Sequence, residues 1–120
     1  MSSSALKPLS QQKCQPCEGT SKPLNKEAAA EHLKGLPLWK LSDDAKILSR
    51  DFLMKNFMAA IRLINLIAQI AESENHHPNI YLENYRKLTI KLTTHAIGGL
   101  SINDFIVASK INDLPMDLKP

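Results

Sequence analysis

Polar side chains recur at Lys55, Arg62, Asn65, Gln69 and Glu72, in steps of three, four or seven, within a stretch otherwise apolar from Phe57 to Ala71. This spacing gathers the polar set into one narrow stripe and predicts a helix. A helix with so small a wet face is expected to bury most of its circumference against a sheet and something more. Glu72, Ser73, Glu74 and Asn75 close it, and Pro78 forbids its continuation. Two period-two segments follow. Ile80 and Leu82 alternate with Tyr81, Glu83 and Tyr85. After a turn near Arg86 and Lys87, the residues Leu88, Ile90, Leu92 and Thr94 alternate with Thr89, Lys91, Thr93 and His95. Such alternation predicts two strands with the apolar set on the helix-covered face. It puts His95 on the wetter face, where its strand ends.

The flanks complete the pattern. Asn25 is a suitable N-cap for a helix over 26–34, which Gly35 and Pro37 stop. The short runs Trp39 to Leu41 and Ala45 to Leu53, on either side of "SDDA", read as a hairpin. Gly98 and Gly99 make a turn. Ser101 and Asp104 then have capping-box spacing ahead of a last helix carrying Ile102, Phe105, Ile106 and Ile111. The predicted order is α-β-β-α-β-β-α: an α+β fold with a four-stranded antiparallel sheet and helices packed on one face. Its uncovered sheet face and open edges favour self-association. The expected organisation is a flexible leader over 1–23, one domain over 24–116, and a tail over 117–120.

Composition narrows the function classes. A chain of 120 residues with 43% hydrophobic and 22% charged residues is an ordinary globular domain. Its net charge of +3 comes from scattered lysines and arginines, so no direct nucleic-acid binding is expected. Arg62, Asn65 and Gln69 interrupt the longest apolar run, so no membrane span is expected. The N-terminus has neither a signal-peptide core nor an Arg-rich amphipathic pattern, and the cytoplasm is the expected compartment. Cys14 and Cys17 form a lone Cys-x-x-Cys. Zinc needs four ligands and only His32 is near enough in sequence to add one, so the pair reads as part of the leader, with a zinc or redox role as the alternative.

Two of the four histidines, His76 and His77, are adjacent at the helix-to-strand junction. On a strand they would point to opposite faces; at a junction they can fan around one cleft, with Pro78 setting the backbone and His95 approaching from its strand. Adjacent histidines make poor metal geometry, and no His-x-His or His-x-x-x-His spacing is present. Proton transfer suits the trio better, because one imidazole can donate while another accepts near neutral pH. Glu72 falls one helical turn before His76, placed to hold its ring. Asp104 can orient an imidazole or accept a substrate N–H while serving the capping box, and so counts among the candidate binding residues. Trp39 fits core packing ahead of ligand stacking. Phosphate-binding Gly loops and a Gly-x-Ser-x-Gly elbow are both missing.

These residues together form a signature. Glu72-x-x-x-His76-His77-Pro78, then Tyr85, then "LTIKLTTHAIGGLSINDF" with His95 and Asp104, resembles the pterin-4a-carbinolamine dehydratases. The resemblance runs over roughly 24–114 and includes Trp39 and the "KNF" opening the long helix. The interval from His77 to Tyr85 is one residue longer than in some members, which suggests a bulge. The resemblance implies a hydro-lyase that dehydrates 4a-hydroxytetrahydropterin to the quinonoid dihydropterin, recycling the pterin after aromatic amino-acid hydroxylation, with no metal and no organic cofactor. It implies His76 and His95 as acid–base groups, with His77 mainly binding and orienting the pterin. It also implies Asn75, Thr93 and Thr94 lining the ring, Pro78 and Trp39 among the binding residues, Asp104 supporting His95, and Glu72 as a support. A homodimer or homotetramer is expected. The alternative is a non-catalytic role, coactivator or assembly factor, with a protein partner on the apolar helix from Phe57 to Ala71.

Overall fold

The structure, a computed structural model, describes residues 8–15 and 22–120. Cys17 lies outside them. The regular elements are α1 (Lys26–Leu33), β1 (Lys40–Leu41), β2 (Leu48–Leu53), α2 (Phe57–Glu74), β3 (Asn79–Glu83), β4 (Lys87–Leu92) and α3 (Ile102–Asn112), in the order the pattern predicts. Local chemistry sets the helix starts. Asn25 accepts the Ala28 N–H at 2.8 Å, and Asn56 accepts that of Ala59 at 2.8 Å, each satisfying a donor that the first turn leaves free. Ser101 and Asp104 form the full capping box of α3.

The four strands pair antiparallel in the order β1-β2-β4-β3. Alternation settles which face is covered. Leu88, Ile90 and Leu92 of β4, with Leu48 and Phe52 of β2, point into the core, where Leu63 and Ile67 of α2 and Phe105, Val107 and Ile111 of α3 meet them. Lys40, Asp51, Tyr81, Glu83 and Lys91 occupy the open face and are exposed. One polar residue, Arg50, stands in the inward register. Its guanidinium donates to Asn112 Oδ1 at 2.6 Å and lies 4.2 Å from the centre of the Phe52 ring.

Three expectations change. First, β4 stops at Leu92, and His95 lies on a 3₁₀ turn (His95–Ile97) rather than on a strand. Thr94 bonds back to Gly99 (N···O 2.8 Å), so the chain folds on itself instead of extending the ladder. Second, β3 and β4 pair without a bulge from Asn79↔Lys91 to Glu83↔Lys87. Their turn comes earlier than expected, where Asn84 and Tyr85 both take left-handed backbone, at φ 47° and 54°. Third, within one chain α2 buries only a stripe (Ala59, Ala60, Leu63, Ile67 and Ala71), because the core covers one side alone; Phe57 and Met58 remain 48% and 57% exposed. Of the expected leader and tail, the described residues 8–15 and 117–120 contact the body. Lys119 N–H donates to Leu53 O at 2.9 Å and Lys55 N–H to Asp117 O at 2.8 Å, while the turn Leu9–Gln11 packs against α3.

Gly98 closes the His95 turn at φ 70°, in the region where a Cβ is strained. Gly98→Ala has open space for its methyl group and is expected to cost about 1 kcal/mol from backbone strain alone. The shift of the urea midpoint at unchanged m-value measures it.

Candidate active site

The end of α2 delivers the two histidines. Asn75 adopts the left-handed conformation (φ 52°, ψ 42°), which asparagine tolerates better than most residues. His76 N–H then bonds to Ala71 O at 3.1 Å and Asn75 N–H to Glu72 O at 3.4 Å, the paired bonds of a Schellman turn. The chain leaves the helix abruptly, and His76 and His77 emerge beside the first turn of α3.

There the buried carboxylate of Asp104, with no exposed surface, collects three donors. Oδ2 accepts the Ser101 N–H at 2.9 Å and the Thr94 hydroxyl at 2.8 Å; Oδ1 meets His76 Nε2 at 2.6 Å. With Thr94 donating to Asp104, the Ser101 hydroxyl donates to Thr94 Oγ1 at 2.8 Å while accepting the Asn103 N–H at 3.2 Å. The chain of donors and acceptors is complete, as buried polar groups require. A carboxylate only accepts, so His76 Nε2 is the donor, and in the neutral ring Nδ1 keeps the lone pair.

His77 Nε2 meets Glu72 Oε2 at 2.6 Å, with side chains 55% and 78% exposed, so this contact orients the ring more than it stabilises the fold. His95 is exposed, and its side chain makes no hydrogen bond to any described residue. The carboxylate partners thus differ from expectation. Asp104 holds His76, not His95, and Glu72 holds His77, not His76. The strand break at Leu92 turns His95 away from Asp104 and brings Thr94 to it instead.

A cleft of about 440 Å³ is lined by Asn75, His76, His77, Thr93, Thr94 and His95, all anticipated from the sequence. Asp104 and Glu72 contact its histidines from outside that lining. Pro78, half-buried, stands just ahead of β3 and outside the lining. Trp39 does not reach the cleft. It is 3% exposed and donates its indole N–H to Asn112 Oδ1 at 2.8 Å, at the far end of α3. Nine residues separate Asn112 from the cleft residue Asn103, roughly 13 Å along a helix.

Five further lining residues escaped the sequence reading as cleft groups: Cys14, Gln15, Glu74, Ala96 and Asn103. Asn103 carried one signal, its place within the capping box beside Asp104, and Cys14 another, its Cys-x-x-Cys spacing; Gln15, Glu74 and Ala96 carried none. Burial, then the Glu74 carboxylate, pushes the Cys14 thiol up to about 12, so at neutral pH it stays protonated. His32 packs its ring on Phe105 at 5.2 Å. Among the described residues no group of three His, Cys, Asp or Glu side chains is arranged to hold a metal ion.

For Glu74, burial opposes ionisation, but the Cys14 N–H, Lys110 and Lys13 outweigh it and hold the carboxyl below its usual value. A depressed carboxyl contributes stability that is present above its unfolded pKa of about 4.3 and is lost as pH falls through the folded value. Glu74→Gln is therefore expected to flatten the loss of stability below about pH 4.3, measured by urea midpoints between neutral and acid pH.

Comparisons with known proteins find clear relatives over most of the chain. The family model described as Pterin 4 alpha carbinolamine dehydratase matches residues 22–114. A relative in Nitrosomonas eutropha, provisionally named pterin-4-alpha-carbinolamine dehydratase, is 43% identical over 107 residues, covering 88% of this chain and 92% of that one. The Arabidopsis thaliana protein named pterin-4-alpha-carbinolamine dehydratase 2, mitochondrial, is 37% identical over 116 residues, covering 94% of this chain and 62% of that one. A crystal structure from Brucella melitensis, titled transcriptional coactivator/pterin dehydratase, superposes with a TM-score of 0.71 at 28% identity, covering 76% of this chain and 96% of that one.

Proposed function

This chain belongs to the pterin-4a-carbinolamine dehydratase family, and on that premise we propose that it dehydrates 4a-hydroxytetrahydropterin by histidine acid–base catalysis. As a hydro-lyase it eliminates water across C4a and N5. The C4a–O bond breaks as the hydroxyl takes a proton and leaves as water; the N5–H proton is removed, and its electron pair forms the C4a=N5 bond of the quinonoid dihydropterin. One proton is given and one is taken.

The observation that carries the reading is the single cleft formed by His76, His77 and His95, with Asp104 behind His76 at 2.6 Å. Asp104 holds the proton on His76 Nε2, which suits Nδ1 to accept the N5 proton. His95, without a side-chain partner among the described residues, is free to protonate the hydroxyl. His77, braced by Glu72, binds and orients the ring, with Asn75, Thr93 and Thr94 around it. The product returns to tetrahydropterin recycling after aromatic amino-acid hydroxylation. The cytoplasm is the proposed compartment; no helix among the described residues is long and apolar enough to cross a membrane.

The test generates the carbinolamine in situ and follows its ultraviolet decay with and without protein. Decay no faster than the spontaneous rate would sink the proposal. A homodimer or homotetramer belongs to the same proposal, supported by the exposed Phe57 and Met58 beside the buried stripe of α2; sedimentation equilibrium reads its mass. Those side chains also favour a second reading, a protein-binding role through α2. It requires a complex with a different protein that survives alanine at His76 and His95.

A further inference from the structure

The segment 8–15 lacks any apolar period, yet the hydrogen bonds of Ser10, Cys14 and Gln15 to the body end on or beside the cleft. Gln15 is gripped twice by one amide: its N–H donates to Asn103 Oδ1 at 3.0 Å, and its carbonyl accepts from Asn103 Nδ2 at 2.6 Å. Such paired bonds fix direction as well as position. Cys14 N–H donates to Glu74 Oε1 at 2.8 Å, and its thiol lies 3.6 Å from Asn103 O. Lys110 donates to Ser10 O at 2.9 Å and stands 3.7 Å from Glu74 Oε2, so one lysine secures both the segment and the carboxylate it rests on. The anchors are buried: the Glu74 side chain is 6% exposed and Asn103 is 4% exposed. Charge-assisted bonds from buried anchors are the strong kind.

We infer that this segment is a wall of the pterin cleft, in which Cys14 and Gln15 touch the bound ring and set substrate affinity. The inference rests on the pterin reading above. The chemistry fits a planar heterocycle. Gln15 carries both a donor and an acceptor, matching the mixed donor–acceptor edge of a pterin. Cys14 stays an uncharged, polarisable thiol, suited to packing on an aromatic face. Neither residue exchanges a proton in the reaction. Their contacts are therefore equal in ground and transition states, which raises affinity without altering turnover.

Two measurements on the full chain test the wall. Lys110→Met releases the Ser10 tether from outside the cleft lining; KM is expected to rise roughly five- to tenfold with kcat within twofold of the parent. The second needs no substitution. Lys7 and Lys22 both precede proline, which trypsin does not cut, so Lys13–Cys14 is the one tryptic bond ahead of Lys26. Saturating 7,8-dihydrobiopterin is expected to slow cutting there at least roughly fivefold, with cutting at Lys34–Gly35 unchanged as the internal reference. An unchanged KM in Lys110→Met, or equal protection at both bonds, overturns the inference. If Lys110→Met does not fold, the protection experiment on the parent protein decides. If the parent protein fails to dehydrate the carbinolamine, the function proposal fails by itself, and protection by the pterin still reports whether the segment walls the site.

Discussion

Replacing His95 by alanine is expected to lower kcat/KM for carbinolamine dehydration by roughly 10²–10⁴-fold, the usual share of one positioned proton-transfer group. The protein itself should hardly notice. His95 is exposed on a short turn, and its side chain makes no hydrogen bond to any described residue, so its urea midpoint should move by no more than about 0.5 kcal/mol. His76→Ala is expected to lose as much activity, but not so cleanly, because it also strips one of three donors from the buried Asp104. The contrast matters: equal activity losses with unequal stability losses separate proton transfer from scaffold. The decisive measurement is single-turnover decay of the carbinolamine, corrected for the spontaneous reaction. Activity in His95→Ala within tenfold of the parent would remove His95 from the chemistry.

Asp104→Ala should have the largest effect on the fold. It leaves the Ser101 N–H, the Thr94 hydroxyl and His76 Nε2 without their acceptor at a position with no solvent access, and it halves the capping box of α3. Stranded buried donors and a lost cap together should cost roughly 3 kcal/mol, which lowers Tm by on the order of 10 °C in a chain of this size. Asp104→Asn separates the two roles. Its carbonyl oxygen can still accept from Ser101 and Thr94, so most of the stability should remain. Its NH₂ faces His76 and drives the ring proton from Nε2 to Nδ1, removing the lone pair that the proposed base uses. A large fall in kcat with a small fall in Tm is the expected result; full activity in Asp104→Asn would show that the tautomer of His76 does not matter.

Much of this was legible in the chain. The period-three-and-four stripe from Lys55 to Glu72 marked α2, and the alternation of Leu88, Ile90 and Leu92 marked β4 with the right face inward. Caps at Asn25 and Ser101 appeared where the spacing put them. The six anticipated lining residues came from the junction pattern and the family signature. The failures share one origin. The alternation through His95 read as continuing strand, because Thr93 and Thr94 keep period two even while the backbone turns back to Gly99. The resemblance put Trp39 among the binding residues, whereas its burial and its bond to Asn112 bear out the core packing that its sequence context favoured.

What the sequence determined by itself is whatever depends on neighbours within a turn or two: which segments become helix or strand, which face is apolar, where helices start and stop. These are local hydrogen bonds and one-sided burial, and they repeat with the period of the backbone. The tertiary structure alone decided which carboxylate holds which imidazole and which segment reaches the cleft. Asp104 is 28 residues from His76, and Asn103 is 88 from Gln15. Such pairs meet only after the sheet register and the docking of α3 are set, and no periodicity along the chain encodes a contact between two separately folded turns.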